Sequence, residues 1–373
     1  MPYTLEIPDY GSLSNEQRRA VNQEGAIRLA GGPGTGKSLV SLWRALDDSS
    51  GNRVLILTYT LSLEFYFRKM LVSAKSRGSK KDIKIQRSQK TAWNEQTMLS
   101  GHWNEIILDE AQDMKEGEIE LFKRRAERVS FGADYRQQLY PGKGASEDFL
   151  VGQLPVTRKF ELKRNYRSTQ QILIAVRAFF PDRSLPGDVI QKSSVGALVQ
   201  LRLCDRKDEV DASAAILKEI LGVSRGNIAI LVPSENKVEE VYGAVNDLLK
   251  GDTTKYSSRD GLDSLGDMGR VHVCTYKSSK GLEWDVVILP FFGGRDWWIE
   301  NTAMGLNDHY VAMTRAKIQL WLVSPNSSDQ TILNSAYGQK EKGPATGNGR
   351  IRVPSPPQFN PGNQAASDDD LPF

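Results

Sequence analysis

Cysteine, histidine and long apolar runs are all scarce in this chain of 373 residues. Cys204 and Cys274 are its only cysteines, and His102, His272 and His309 its only histidines. Neither set has metal-ligand spacing, and two thiols make no disulfide framework, so the sequence predicts a reducing compartment, the cytoplasm. No apolar run approaches the about 18 residues that cross a bilayer, and no secretory pattern opens the chain, so no membrane partner is expected. An excess of one charge is lacking as well. A net charge of +3 excludes a global cationic field, so any nucleic-acid surface has to be local. What remains is an ordinary globular composition, 39% hydrophobic and 25% charged, at a length that accommodates about two full-sized cores.

The most specific stretch is Gly31-Gly32-Pro33-Gly34-Thr35-Gly36-Lys37-Ser38, with the spacing G-x-x-x-x-G-K-S of a phosphate-binding loop. Glycines let successive backbone N–H groups, those of Gly34, Thr35 and Gly36 among them, turn inward to phosphate oxygens. Lys37 brings a positive charge to the β- and γ-phosphates of ATP, and the Ser38 hydroxyl can ligate Mg²⁺. Residues 26–30 read as a strand running in and residues 38–46 as a helix running out, whose positive dipole end faces the phosphates.

Upstream, Leu13 to Val21 opens with a capping residue and continues as a helix. Gln17, about fourteen residues before the loop, is either part of an ordinary helix or a carboxamide offered to an adenine edge. Residues 53–60 form a buried-strand pattern ending in hydroxyls, followed by a helix over 61–71 that carries Phe65, Tyr66 and Phe67. Ligands of α/β sheets sit beyond the carboxyl ends of strands, which places Thr58 and Thr60 to touch a substrate backbone. The alternative is that the threonines serve as strand formers and the aromatics as core. Residues 74–92 are basic and read as a loop, solvated or in contact with phosphates.

Trp103 to Leu108 is an apolar strand that ends in Asp109-Glu110-Ala111-Gln112. Adjacent carboxylates there suit Mg²⁺-dependent hydrolysis, Asp109 holding the metal through water and Glu110 polarising the attacking water. A further strand ends at Asp134, with Gln137 three residues on and suited to sensing the γ-phosphate.

In this order the motifs resemble those of superfamily 1 helicases of the UvrD/Rep type, over residues 13 to 324. Gln17 lies in a Q motif, Gly31 to Ser38 in motif I, Thr58 to Thr60 in motif Ia, Asp109 to Gln112 in motif II, and Asp134 to Gln137 in a motif III whose usual Gly-Asp pair is here Gly132-Ala133-Asp134. Asn165-Tyr166-Arg167-Ser168 is similar to motif IV, which would make Arg167 a γ-phosphate arginine. Thr275 to Trp284 resembles motif V, with Lys277 in place of the common His and Trp284 in place of Phe. The resemblance implies that Glu283 contacts the ribose and that Thr275 and Ser278 face the nucleic-acid backbone. Tyr310 to Lys317 looks like motif VI, with Arg315 as a second arginine finger. Two arginines facing a triphosphate held elsewhere would tie hydrolysis to closure of a cleft.

Insertions are the next scarcity. Enzymes of that type carry large ones, but only about 45 residues separate motifs Ia and II here and about 100 lie between Ser168 and Val271. Strand patterns at 197–204 and 227–233 account for much of the second interval. Trp297-Trp298 suits either base stacking or local packing. From residue 338 onward Gly, Pro, Asn, Gln and Ser dominate, which reads as a flexible linker. It ends in Asp368-Asp369-Asp370-Leu371-Pro372-Phe373, similar to the tip of bacterial single-stranded DNA-binding protein. Phe373 could fill a partner's apolar pocket while the acids meet a basic rim. A solubilising end and a tail folding back onto the chain's own cationic groove are the alternatives.

The expectation is thus α/β: two RecA-like P-loop domains with parallel sheets, over residues 1–157 and 158–337, and a tail over 338–373. The function expected is an ATP- and Mg²⁺-dependent translocase or 3′–5′ helicase on single-stranded DNA, with RNA the alternative track. A DNA-sensing regulatory ATPase that controls a partner nuclease, repair or defence protein is the competing class.

Overall fold

Nearly continuous apolar runs such as Val54-Leu55-Ile56-Leu57 and Ile228-Ala229-Ile230-Leu231-Val232 have no polar face to turn to water, and such strands form parallel sheets covered on both sides. The computed structural model describes residues 8–47, 50–75, 81–93, 101–140, 142–183, 185–249, 252–257, 269–294 and 305–338. All of them lie within one compact unit, Met1–Glu341. Twelve strands in chain order, β1 (Ile27–Ala30), β2 (Arg53–Thr58), β3 (Asp82–Arg87), β4 (Trp103–Leu108), β5 (Ala126–Ala133), β6 (Arg158–Glu161), β7 (Gln200–Leu203), β8 (Ile228–Val232), β9 (Thr253–Tyr256), β10 (Val271–Thr275), β11 (Trp284–Leu289) and β12 (Ala316–Ser324), make two six-stranded sheets. Their orders are β3-β2-β4-β5-β1-β6 and β7-β12-β11-β8-β10-β9, and every pairing is parallel. This is the two-sheet, RecA-like α/β architecture. We call the first sheet with its helices the first lobe, and the second likewise.

One strand, β5, separates β1 from β4, so the phosphate loop after β1 and the acids after β4 open on the same crest. Arg44, fully buried on the helix Lys37–Leu46, donates to Glu105 Oε1 of β4 at 2.7 Å and to the carbonyls of Ala20, Val21 and Gln23. It thereby caps the end of the helix Asn15–Val21 and fixes that helix to the loop-bearing one.

Two expectations change, and a third, left open between core and substrate contact, resolves as core. The basic loop over 74–92 contains β3 and the helix that starts at Ser88, because Ile83 and Ile85 alternate inward against β2 while Asp82 and Lys84 face out. Arg158–Glu161, placed by sequence at the start of the second half, pairs with β1 from Ile27↔Arg158 to Ala30↔Glu161 and closes the first sheet. The aromatics after β2 divide: Phe67 packs in the first lobe's core, whereas Leu61 and Phe65 of the helix Leu61–Lys75 are buried among Tyr276, Trp284 and Tyr310 of the second. Burial of each such side chain stabilises by about 1.5–3 kcal/mol, so this helix fastens the lobes together. Trp297, Trp298 and the chain from residue 339 onward lie outside the described residues.

Candidate active site

Backbone conformation dictates the loop. Gly34 and Gly36 hold φ of 71° and 87°, in the left-handed region that side chains disfavour, and Gly36 is the N-cap of the helix Lys37–Leu46. Gly34 has a second constraint, since a Cβ there would lie 2.6 Å from Arg167 Cβ and 2.7 Å from Asn165 Nδ2. The segment leading into the second lobe therefore rests on the loop. Asn165 Nδ2 donates to the Pro33 carbonyl at 2.7 Å, and Tyr166 N to that of Gly34 at 2.8 Å. Lys37 Nζ folds across the loop to the Gly31 and Gly32 carbonyls, at 2.9 and 3.2 Å.

The acids arrive at the end of β4. Ser38 Oγ donates to Asp109 Oδ2 at 2.7 Å and Ser41 Oγ to Asp109 Oδ1 at 3.2 Å. Glu110 has φ 60, a conformation that costs a residue other than glycine about 1–3 kcal/mol and is kept here by its surroundings. Gln112 donates Nε2 to Glu110 Oε2 at 2.5 Å and accepts from Asp134 N at 3.1 Å, linking the ends of β4 and β5. Burial and the neighbouring Glu110 charge push the Asp109 carboxyl up. Burial acts on Glu110 in the same sense, but Lys280 and Lys37 outweigh it and hold that carboxyl well below the usual range.

The second lobe supplies the arginines. Arg315, immediately before β12 and only 2% exposed, donates Nη2 to Gln137 Oε1 at 2.7 Å and Nε to the Val311 carbonyl at 3.0 Å. Gln137 in turn donates Nε2 to Asp134 Oδ2 at 2.7 Å. Burial and the Arg167 charge lower the proton affinity of Arg315, so an anion beside it would relieve a costly cation. Arg167 donates Nε to Glu283 Oε2 at 2.7 Å; burial opposes the Glu283 charge, yet Arg167 and Lys317 keep its carboxyl below the usual range.

These groups converge on a cavity of about 520 Å³, lined by Gly34 to Ser38, Glu110 and Gln137 from the first lobe and by Tyr166, Arg167, Glu283 and Arg315 from the second. Its shape and charge fit a polyphosphate on the loop with cations on the far side. Among the described residues no group of three or more His, Cys, Asp and Glu could hold a metal. Ser38 and Asp109 can supply two oxygen ligands, and Mg²⁺ commonly completes its shell with phosphate oxygens and water. A buried carboxyl pushed up beside a second carboxylate is the kind of group a divalent cation would offset.

Several expected site residues take other partners. Gln17 is 3% exposed and does not line the cavity. Its Oε1 accepts from Ser14 N at 2.9 Å in a capping box, and its Nε2 donates to the Thr35 carbonyl at 3.1 Å, so here it props the loop. Thr58 is fully buried, with its hydroxyl toward the Thr60 carbonyl at 3.4 Å, and the Thr275 hydroxyl donates to Ser278 Oγ at 2.9 Å. Thr60 and Ser278 do line a second cavity, of about 150 Å³, between the lobes. Tyr59, Tyr140, Arg87 and Lys277 join them there. The Tyr59 and Tyr140 rings lie 5.9 Å apart and Lys277 Nζ sits 5.1 Å over Tyr140.

Sequence reasoning assigned no role to Tyr166, which is 47% exposed at the nucleotide cavity, nor to Gln112, Tyr140 or Lys280. Tyr166, Gln112 and Lys280 stand inside motifs that were recognised, which is the one signal that could have singled them out.

Fold and site together define a two-lobed P-loop architecture with the phosphate loop facing a cavity that both lobes line. No protein-family profile matches the sequence. Over 243 residues, 58% of this chain and 34% of the relative, the sequence is 26% identical to "Putative ATP-dependent DNA helicase R568" of Acanthamoeba polyphaga mimivirus. The chain thus spans about a third of the length of the curated relative it matches. In solved structures it is similar to the PRRSV helicase, with a TM-score of 0.46 and 16% identity over 85% of this chain and 55% of that one. It is also similar to arterivirus nonstructural protein 10, a helicase, in complex with DNA, with a TM-score of 0.45 and 13% identity over 85% of this chain and 65% of that one.

Proposed function

We propose that this chain is an ATPase that works on single-stranded DNA, as a translocase or helicase of the superfamily 1 type. The observation that carries the proposal is the shared cavity: Arg167 and Arg315 of the second lobe line it together with Lys37, Ser38, Glu110 and Gln137 of the first. Lys37 and the loop N–H groups would bind the β- and γ-phosphates, and Arg167 and Arg315 would face the charge that develops on the transferred group. Glu110, held as a carboxylate, is the candidate base for the attacking water, and Gln137 would orient that water. Mg²⁺, held by Ser38 and Asp109, would supply Lewis-acid stabilisation of phosphate charge. Tyr166 offers a face for the base and Glu283 a carboxylate for the ribose.

The cavity lined by Thr60, Ser278, Tyr140 and Lys277 is the candidate strand groove, since hydroxyls and a cation suit phosphates and tyrosine faces suit bases. DNA as the track is supported by the name of the mimiviral relative, and 3′–5′ polarity by the motif resemblance alone. A second reading, a DNA-sensing regulatory ATPase that docks a nuclease or repair protein through Asp368 to Phe373, is favoured by one observation. Among the described residues the strands form two sheets, and no third sheet interrupts either.

Lys37→Ala removes the charge at the phosphates and is expected to lower ATP turnover by about a hundredfold or more. A phosphate-release assay on purified wild type and variant measures it, and turnover within about twofold of wild type would contradict the assignment.

A further inference from the structure

The turn between β10 and β11 places a lysine where a lysine is seldom found. Lys280 is fully buried. Its Nζ donates to Asp113 Oδ2 at 2.5 Å and to the Gln137 carbonyl at 2.7 Å, and lies 3.3 Å from Glu110 Oε2. All three partners belong to the first lobe, beyond the ends of β4 and β5. The carbonyl of Lys280 meanwhile accepts from Thr60 Oγ1 at 3.2 Å and Ser62 Oγ at 2.7 Å, beyond the end of β2. One residue of the second lobe is thus bonded through its side chain to the hydrolytic edge of the first and through its backbone to the hydroxyl edge.

Each edge borders a different cavity. Thr60, Ser62, Lys277 and Ser278 line the candidate strand groove, while Glu110, Gln137 and Gly281 line the nucleotide cavity. Lys280 lines neither; it stands between them. The turn that holds it is tied internally. Ser278 N donates to Thr275 Oγ1 at 3.2 Å, Ser279 Oγ to the Tyr276 carbonyl at 2.6 Å, and Leu282 N to the Ser279 carbonyl at 3.1 Å.

We propose that Lys280 is a positioning residue that carries occupancy of the strand groove to Glu110 and Gln137 while touching neither strand nor nucleotide. The proposal rests on the function proposed above and names the residue that couples its two cavities. A buried ammonium is tolerated only while its partners stay in place, because an uncompensated charge in that setting is strongly destabilising. A strand that bears on Ser278 and Lys277 therefore cannot shift the turn without moving Asp113, Glu110 and Gln137 along with it. Packed contacts of this kind switch between discrete arrangements rather than deforming continuously, and coupling of the two cavities through Lys280 would use such a switch.

The test uses the full chain as wild type, Lys280→Met, Asp113→Asn and the double variant. ATP hydrolysis is measured with and without oligo(dT), along with KM for ATP, oligo(dT) affinity by fluorescence anisotropy, and melting temperature. Each single variant is expected to lose about tenfold or more of the oligonucleotide stimulation, while KM and oligo(dT) affinity change by less than about threefold. The double variant removes both buried charges, so its melting temperature should return toward wild type while stimulation stays lost. Stimulation that returns together with stability in the double variant would make Lys280 a pillar and nothing more, and would overturn the proposal. Singles that keep the wild-type stimulation overturn it as well. A wild-type chain that hydrolyses ATP at one rate with or without oligo(dT) instead overturns the underlying function, and this proposal with it.

Discussion

At the scale of single residues, side chains whose role follows from backbone geometry were legible in the sequence, and those whose role depends on a distant neighbour were not. The glycines of the loop could be read directly, because the positive φ of Gly34 and Gly36 demands that residue type. Gln17 could not, since whether its amide faces a base or the Thr35 carbonyl depends on packing between two helices. Thr58 was placed at the correct strand end and Thr275 was named by motif resemblance, but their hydroxyls are directed to Thr60 and Ser278. Lys280 was hidden because a lysine in a basic, serine-rich stretch reads as solvated.

Glu209 allows a residue-scale prediction away from the site. It is 2% exposed, and burial raises its carboxyl to about 7, against a backbone bond from Phe291 and the nearby charges of Arg206 and Lys237. The folded chain then binds this proton more tightly than the unfolded one. The Glu209 contribution to stability is present at acid pH and is lost as pH rises from 4.5 through about 7. Glu209→Gln retains an acceptor for the Phe291 N–H and removes the titration. Its melting temperature should exceed that of wild type by about 2–4 °C at pH 8 and match it within about 1 °C at pH 5. A gain of equal size at both pH values would contradict this origin.

At the scale of elements, the strands that carry motifs were legible as apolar runs: β1, β2, β4 and β8 lie where the patterns put them, to within a residue or two, and β5 ends within a residue of the expected place. β3 was missed because Asp82-Ile83-Lys84-Ile85-Gln86-Arg87 is half charged, and only its pairing with β2 at the sheet edge makes it a strand. β6 was not read as a strand, and the boundary drawn at 157/158 left its residues with the second half, because four residues carry too little pattern to show that they join β1.

The helix Leu61–Lys75 meets the β10–β11 turn at Gly281, whose φ is 91°. A Cβ there would stand 2.2 Å from Leu63 Cγ and 2.4 Å from its Cδ2. Gly281→Ala should therefore destabilise the chain by about 1–3 kcal/mol through strain and overpacking. In a Leu63→Ala background the same change should cost less, a non-additivity of about 0.5 kcal/mol or more in denaturation midpoints. Strictly additive losses would mean that the two residues do not meet.

At the scale of the whole molecule, two sheets present their loops to each other, and the residues of the candidate site are divided between them. The loop, acids and Gln137 come from the first lobe, and the arginines from the second. Neither lobe holds all of these groups, so under the proposed function turnover would depend on how the two are held together. Lys280, the helix Leu61–Lys75 and the contact of Asn165 with Pro33 are what hold them. The motif order made this division legible from sequence; the strand groove was legible only in part, because Tyr59, Arg87, Tyr140 and Lys277 reach it from four separate segments.

The most direct measurement is the steady-state ATP hydrolysis rate of the full chain with and without single-stranded DNA. A DNA-coupled site shared between lobes predicts a low rate alone and a rise of about tenfold or more with saturating oligonucleotide. An equal rate in its presence and absence would contradict coupling between the two cavities.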